Sequence, residues 1–425
     1  MQRRHFLPLA LGAASPARRS VAATDRITIA LMGVRGRGQS LTRAFCAQPD
    51  VNVAYVCDVD ENVVDGAYRI ISESGRKRPP LVADLRRCLD DASVDAVVMG
   101  TPLHWHAPGT ILACDAGKDV YVEKPASHNI REGRLMVEAA RRNNRVVQVG
   151  SQLPSLPAAQ AFHDYVQSGQ LGRVLMAKVW NVQLRRNIGH KEDEPVPAGV
   201  EYDIWTGPLP KMPFNRNRFH STVNWHWHYG AGDIGNDGVH ELDIARRALG
   251  VQLPVAVSGF GRKMYFDDDQ QTPDTMNITY DYDGKVLFYE QRLWNPYGME
   301  GCDNGVAVYG DKGVAQFGKF RGRNWGYRVL DEKGQEIHSD QHGPSSIDTP
   351  HARNFLDCVR SRARCRVDIE EGHWAAALAH LGNIVARTGR SIRFDPKTET
   401  VIGDPDAARL VKRDYRSHWS TPRGV

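Results

Sequence analysis

Residues 26–41 read RITIALMGVRGRGQSL. The run Ile27–Met32 is apolar with no polar alternation, as expected of a strand buried on both faces. Gly33, Gly36 and Gly38 follow at once and give way to a helix-like segment from Ser40 to Gln48. Strand, glycine loop and helix in that order form the phosphate-binding turn of a doubly wound α/β sheet. Residues without Cβ let the backbone approach a pyrophosphate, and the helix N-terminus stabilises its charge. The spacing is G-x-x-G-x-G rather than the strict G-x-G-x-x-G, so the motif by itself is moderately specific.

The sequence around it repeats the pattern. VNVAYVCD, DAVVMGT, DVYVEKP and RVVQVGS are four further buried-strand runs. Helix-like segments separate them, at Glu61–Ser74, Asp84–Asp91, Ala107–Ala116 and Asn129–Asn143. Five strands alternating with helices predict a parallel Rossmann-type sheet over residues 25–151. The pattern then changes: an amphipathic helix at 155–170 leads into strand-like alternation at VLMAKVWNVQL, VAVSGFGRKMY, MNITYDYDGKVLFYEQRL and NGVAVYGDKGVAQFG. Glycine turns separate these runs, which predicts an α+β domain with an open, mostly antiparallel sheet over residues 152–345. Residues 346–425 return to helix, and these C-terminal helices and the tail are expected to pack on the two domains.

Length and charge narrow the function. At 425 residues the chain exceeds one ordinary core. Of its formal charge of +5, four positive charges belong to Arg3, Arg4, Arg18 and Arg19, so the remainder is nearly neutral. No basic run or stripe is present, which argues against a nucleic-acid partner. Residues 1–24 resemble a twin-arginine export leader: an Arg pair, Phe6 and Leu7, a short apolar run to Ala14, and small residues at Val21–Ala23. Pro8, Pro16 and the second Arg pair depart from that pattern. No other segment approaches a membrane span. The seven cysteines form no C-x-x-C pair and read as buried thiols, suited to folding in a reducing cytoplasm before export.

Several residues are placed to carry chemistry. The second strand ends at Asp58, 25 residues after Gly33. A carboxylate there accepts hydrogen bonds from ribose hydroxyls and repels a 2′-phosphate, favouring NAD over NADP. Arg35 and Arg37 weaken that preference and keep NADP open. TPLHWHAP brings Thr101, Pro102, His104 and His106 to the carboxyl edge of the sheet, where ligands bind in such folds. Glu123 and Lys124 end the next strand, and Gln152 follows the fifth; all are counted as lining the cofactor cleft. A lysine beside that cleft can exchange a proton with a substrate hydroxyl and stabilise negative charge on its oxygen.

The densest polar and aromatic cluster is NWHWHYGAGDIGNDGVHELDIARRALG. From Asn236 it reads as a helix, with Val239, Leu242, Ala245 and Leu249 as an apolar stripe and Asn236, His240 and Asp243 on the adjoining face. Trp227 offers an aromatic face for a sugar, and Asp237 or Asp233 a carboxylate for proton transfer. His226, His228 and His240 could ligate a metal with Asp233 or Glu241, but H-x-H with a distant His is a weak pattern and no metal is expected.

GVRGRG, Asp58, TPLHWH, VEKP and GDIGNDGVHELDIARRALG together resemble the glucose-fructose oxidoreductase and inositol dehydrogenase (Gfo/Idh/MocA) family. The ending, from HARNFLDCVRS through EEGH, LGNIVARTGR, FDP and DYRSHW, is similar to a bacterial branch of it with twin-arginine leaders. The resemblance implies a nicotinamide cofactor, carbohydrate-like substrates, a cis peptide before Pro125, and an acid/base role for His240 beside Lys124. An aspartate usually stands four residues before that histidine; this chain has Asn236, which can orient an imidazole but cannot stabilise its cation as a carboxylate would. Lys124, His240, Asn236, Asp237 and Trp227 are therefore the expected substrate residues, with Lys124 carrying most of the proton transfer.

The expected activity is hydride transfer on a sugar, cyclitol or polyol by a homo-oligomer. The alternatives are glycoside cleavage through a transient keto-sugar and a non-catalytic sugar or nucleotide sensor. An exported enzyme must carry its dinucleotide with it and restore its redox state each cycle.

Overall fold

The computed structural model describes residues 26–299, 301–320, 325–340 and 347–425, so the expected leader lies outside the described residues. The first domain is a parallel sheet of β1 (Ile27–Met32), β2 (Val51–Cys57), β3 (Leu81–Val82), β4 (Ala96–Met99), β5 (Asp119–Glu123) and β6 (Val147–Gly150). Its order is β3-β2-β1-β4-β5-β6, the doubly wound arrangement. Five strands are those expected; β3 is additional, two residues long after Pro79 and Pro80. β4 and β5 are buried along their whole length, because helices cover both faces.

On one face lie α1 (Arg37–Cys46) and α2 (Asp65–Glu73); on the other, α4 (His106–Asp115) and α5 (Ile130–Arg142), after the short α3 (Arg86–Leu89). Asn129 caps α5, its side chain accepting the Glu132 amide at 2.9 Å.

The second domain contains α6 (Pro157–Gln167), β7 (Val174–Val182), the short α7 (Tyr202–Thr206), α8 (Val239–Leu249), β8 (Ala256–Arg262), β9 (Thr275–Asp281), β10 (Val286–Arg292), β11 (Cys302–Gly310), β12 (Gly313–Phe320), β13 (Trp325–Leu330) and β14 (Glu336–Asp340). The C-terminal segment supplies α9 (Asp348–Ser361), α10 (Ile369–Thr388), β15 (Ile392–Asp395), β16 (Thr400–Ile402) and α11 (Pro405–Arg409). The second sheet runs β14-β13-β12-β11-β7-β10-β9-β8-β15-β16 and is antiparallel except where β7 meets β10. The C-terminal segment is thus not helical throughout: β15 and β16 extend the sheet edge beyond β8.

Alternating burial along β9 and β10 leaves one face of this sheet for α6, α8 and α10, which share its apolar core. α9 returns to the first domain and packs on α1, its buried Phe355 edge-on to Phe45 and Tyr121. α10 joins the two domains, packing on α5 on one side and on α8 and β8 on the other. Gly133 allows the approach to α5, since a Cβ there would lie 2.2 Å from His373 Nδ1, and Gly372 lets α10 approach β6, where a Cβ would lie 2.3 Å from Val149 Cγ2. No helix of the described residues is long and apolar enough to cross a membrane.

Candidate functional site

The glycine loop is built for close contact. A Cβ on Gly33 would sit 2.8 Å from the Thr101 Cα, and one on Gly38 would sit 1.9 Å from the Gly33 carbonyl oxygen. These two glycines close the turn; Gly38 shapes the cleft without lining it. Gly36, with φ of +43°, has no protein atom within 4 Å of its absent Cβ. Among the described residues the amides of Arg35, Gly36 and Arg37 have no acceptor, and α1 opens with neither a side-chain cap nor an acid in its first turn. An open glycine and three free N–H groups at a helix start fit a pyrophosphate. The loop opens on a cavity of about 350 Å³ at the carboxyl edge of β1, β2, β4 and β5.

Asp58 faces this cavity. Its Oδ2 accepts the Val34 amide at 2.8 Å and its Oδ1 the Asp60 amide at 3.0 Å, which leaves lone pairs for a ribose. Burial pushes its pKa up, while the backbone donors pull it down. Arg35 is exposed at the same rim and has no acidic partner among the described residues.

Arg37 differs from the expectation. Its Nε donates to Glu123 Oε1 at 2.8 Å, and its Nη atoms grip Asp348 at 2.9 and 2.8 Å. Three of its five N–H groups are thereby committed within the protein, so the residue joins α1, β5 and α9 rather than standing free for a phosphate. Glu123, though on the cavity wall, is the inner partner of that pair.

Thr101, Pro102 and His106 line the cavity as expected, but His104 does not. A one-turn 3₁₀ segment, Leu103–Trp105, directs it inward, where Nε2 lies 2.7 Å from the Trp205 carbonyl and the ring meets Trp205 and Tyr229. Burial drives its pKa down to about 3. Gln152 is also away from the wall; its Nε2 donates to Tyr121 Oη and Glu123 Oε1, both at 3.3 Å. His106 has Nδ1 2.7 Å from the Pro125 carbonyl and Nε2 3.0 Å from the Thr101 carbonyl, bridging the loops after β4 and β5.

Lys124 follows β5 at the cavity wall, and the Lys124–Pro125 peptide is cis. Its Nζ donates to the Asn236 backbone carbonyl and lies 3.4 Å from Asn236 Oδ1. That amide oxygen also accepts from Asn224 Nδ2 at 3.3 Å, and Asn236 Nδ2 donates to Asp233 Oδ1 at 3.1 Å. Asp233, with a side chain 0% exposed, is held by Asn181 at 3.1 Å and by Arg185 at 2.9 Å. A chain of polar contacts thus runs from the lysine to a buried ion pair.

Asp237 and His240 adjoin this chain without forming the cavity wall. Asp237 Oδ2 accepts from Asn304 at 2.9 Å and lies 3.6 Å from Arg185; burial and the Asp233 charge raise its pKa. His240 follows a π-helical turn, Ile234–Gly238, so its helix begins at Val239 and not at Asn236. Burial, Lys124 and Arg37 hold the imidazole neutral, with pKa well below the usual range, and its Nδ1 has no partner. Asp243 turns away into ion pairs with Arg246 and Arg247.

Trp227 is not at this site. The chain turns after Trp225, which packs with Phe266 and Leu293, and Trp227 faces a second cavity. His228 lines that cavity too, its Nε2 2.9 Å from the Pro210 carbonyl. Among the described residues no group of three or more His, Cys, Asp or Glu side chains is arranged to hold a metal. Asn224, Arg185 and Asn304 belong to the site and carry no motif that would single them out in the sequence; Asn224 begins NWHWH, whereas the other two lie in or beside strands β7 and β11.

Comparisons with known proteins agree with this geometry. The chain matches the oxidoreductase family's NAD-binding Rossmann fold over residues 27–151 and its C-terminal alpha/beta domain over residues 161–291 and 342–421. A glycosyl hydrolase family 109 protein of Shewanella pealeana is 27% identical over 125 residues, 28% of this chain and 27% of that protein. Levoglucosan dehydrogenase of Pseudarthrobacter phenanthrenivorans is 24% identical over 229 residues, 53% and 52% of the two chains. The match therefore spans about a quarter of the first relative's length and about half of the second's. Among solved structures, aldose-aldose oxidoreductase from Caulobacter crescentus complexed with glycerol superposes with a TM-score of 0.66 at 18% identity, covering 87% of this chain and 100% of that one. A levoglucosan dehydrogenase complex with NADH and levoglucosan gives 0.65 at 17% identity, covering 87% and 99%. Both family domains, in order and over most of the described residues, place this chain in the Gfo/Idh/MocA oxidoreductase family.

Proposed function

We propose that this protein is a nicotinamide-dependent oxidoreductase that acts on a sugar, cyclitol or related polyol by hydride transfer and holds its NAD tightly. The observation that carries the reading is the shared cavity: the open Gly36 loop, Asp58 and the Lys124 ammonium all face it. When bound, the nicotinamide supplies the carbon that takes up or returns the hydride. Asp58 favours NAD, and with Arg37 committed to Glu123 and Asp348, Arg35 is the one of the two loop arginines free to meet a 2′-phosphate among the described residues.

Lys124 exchanges the hydroxyl proton of the substrate. The Asn236 carbonyl and side-chain oxygens fix the ammonium in place, and the Asn236–Asp233–Arg185 chain fixes Asn236. His240 assists from behind the cavity wall as a neutral imidazole, which adds no second positive charge beside the lysine.

The test is turnover of a sugar and polyol panel with the protein's own cofactor, followed by NADH fluorescence. Oxidation of at least one polyol, lost on Lys124→Ala, supports the reading; no substrate-dependent change in cofactor redox state rejects it. Relatives named as family 109 glycosyl hydrolases favour a second reading, cleavage of a glycosidic bond through a transient keto-sugar. Release of aglycone without net NADH accumulation distinguishes it.

We also propose export through a twin-arginine route, from Arg3–Arg4, Phe6–Leu7 and the seven cysteines, which are all buried. Cell fractionation of Arg3→Lys, Arg4→Lys protein tests this, with retention in the cytoplasm expected. Homo-oligomer formation, proposed likewise, is read by light scattering.

A further inference from the structure

The second cavity, about 630 Å³, is enclosed by the loop at 209–212, residues 227–231, one face of α10 and the C-terminal residues 409–414. Its cationic side chains are Arg387, Arg409, Lys412 and Arg413, against one carboxylate, Asp414. Among the described residues Arg387 has no ion-pair partner; its guanidinium lies 5.2 Å from the centre of the Trp227 ring. Arg413 is balanced by Glu132 at 2.5 Å, yet keeps Nη1 buried and unpartnered. Arg409 lies 3.9 Å from Asp406, so among the described residues Arg387 and Lys412 are the two cations of the cavity without a carboxylate partner, and they leave it positive.

The remaining lining is neutral and polar around one aromatic ring. Asn383, 5% exposed, donates through Nδ2 to the Ala231 carbonyl at 2.8 Å and keeps Oδ1 unpartnered. Gln271 accepts the Trp227 amide through Oε1 at 3.0 Å, which leaves its NH₂ group available. An indole face accepts the C–H side of a sugar ring, amides bind hydroxyls, and an arginine fork binds a carboxylate. The same fork also takes a phosphate, so the indole face and the amide groups, rather than the cations, favour a hydroxylated carboxylate.

We propose that this cavity binds a sugar acid, a small hydroxylated carboxylate, at a site distinct from the Lys124 cleft. The carboxylate pairs with Arg387 and Lys412, and the ring lies against Trp227. The two sites are neighbours through the strap after Lys124: His128 Nε2 lies 3.0 Å from the Trp227 carbonyl, and His380 Nε2 lies 2.9 Å from the Ser127 carbonyl.

The experiment is calorimetric titration of the full chain, with its cofactor bound, using D-glucuronate, D-glucose and inorganic phosphate. Saturable glucuronate binding is expected, weakened roughly tenfold or more by Arg387→Gln or Lys412→Glu and unchanged by Lys124→Ala. Both cationic residues are exposed, so these variants retain the fold, which thermal melting verifies. Absence of glucuronate binding overturns the proposal. So does glucose or phosphate binding that is weakened by Arg387→Gln and is as tight as that of glucuronate, or glucuronate binding lost on Lys124→Ala and kept in Arg387→Gln. Since the titration does not require turnover, its failure leaves the proposed oxidoreductase activity standing.

Discussion

Asn236 Nδ2 donates to Asp233 Oδ1 at 3.1 Å. The contact gives a physical reason for an amide at a position where the family resemblance implies an aspartate. A carboxylate at position 236 would face a second carboxylate, already 0% exposed, across a hydrogen-bond distance. Two such groups cannot both ionise without cost, so one would hold a proton at neutral pH.

Asn236→Asp is therefore expected to destabilise the protein by about 1–3 kcal/mol at pH 7. The new carboxyl pair has a folded-state pKa raised above its unfolded value. Stability is thus retained at low pH and lost as pH rises through that folded value, so the deficit shrinks on going from pH 7 to pH 5. Paired thermal melts of the two proteins at both pH values check this.

Lys124→Ala should lower kcat by about 10²–10⁴-fold while the dinucleotide remains bound, because the amine serves proton transfer and the cofactor is held from the glycine loop and Asp58. Lys124→Arg should recover little, since a guanidinium does not release its proton near neutral pH. Single-turnover kinetics with cofactor content measured alongside separate the two effects.

Arg37→Met should cost about 2–3 kcal/mol in stability, because it leaves the nearly buried Glu123 and the partly buried Asp348 without their shared partner. If Arg37 instead served chiefly to bind a phosphate, urea denaturation would show stability near the parent's.

Asp58→Ser should narrow the preference for NAD over NADP by roughly tenfold or more, as it removes the charge opposing a 2′-phosphate while Arg35 stays free. Binding titrations with both dinucleotides read the ratio directly.

Stability should fall on mild acidification. His104, His351 and His380 are buried, with pKa values driven by desolvation down to about 3, 4 and 4. His106, His128 and His240 are lowered too. Each is neutral when folded and takes a proton when unfolded below about 6.5, so each contributes stability that is lost as pH falls from there toward its folded value. Asp58, Asp237 and Glu241, raised by burial, act in the opposite sense but are fewer. At roughly 1.4 kcal/mol per pH unit for each excess proton on the unfolded chain, the melting temperature should drop steeply from pH 6.5 to 5. His380→Gln should flatten that slope.

The parallel sheet was legible because burial on both faces forces continuous apolar runs, of which ITIALM and AVVM are the plainest. β3 was not, since two edge residues after two prolines create no pattern. Gly33, Gly36, Asp58 and Lys124 could be read from the sequence because each sits where a strand ends, a position fixed by local order. His104 and Trp227 lie away from the cleft for a related reason: a one-turn 3₁₀ segment at Leu103–Trp105 and a two-turn one at His220–Trp225 rotate them away from neighbours that do reach it. Arg37 looked free because its partners, Glu123 and Asp348, are 86 and 311 residues distant. Arg185 and Asn304 join the site through pairing of β7 with β11, a long-range contact that no local spacing records.

The proposed chemistry requires a dinucleotide held across the Gly36 loop with its reactive end toward Lys124. The most direct measurement is acid release and chromatographic quantitation of nucleotide from freshly purified protein, beside a Gly36→Val variant whose side chain would enter the open space at a strained φ of +43°. Near-stoichiometric NAD(H) from the parent and little from the variant is the predicted result. Parent protein that releases no dinucleotide and takes up neither NAD nor NADP in a binding titration would contradict it.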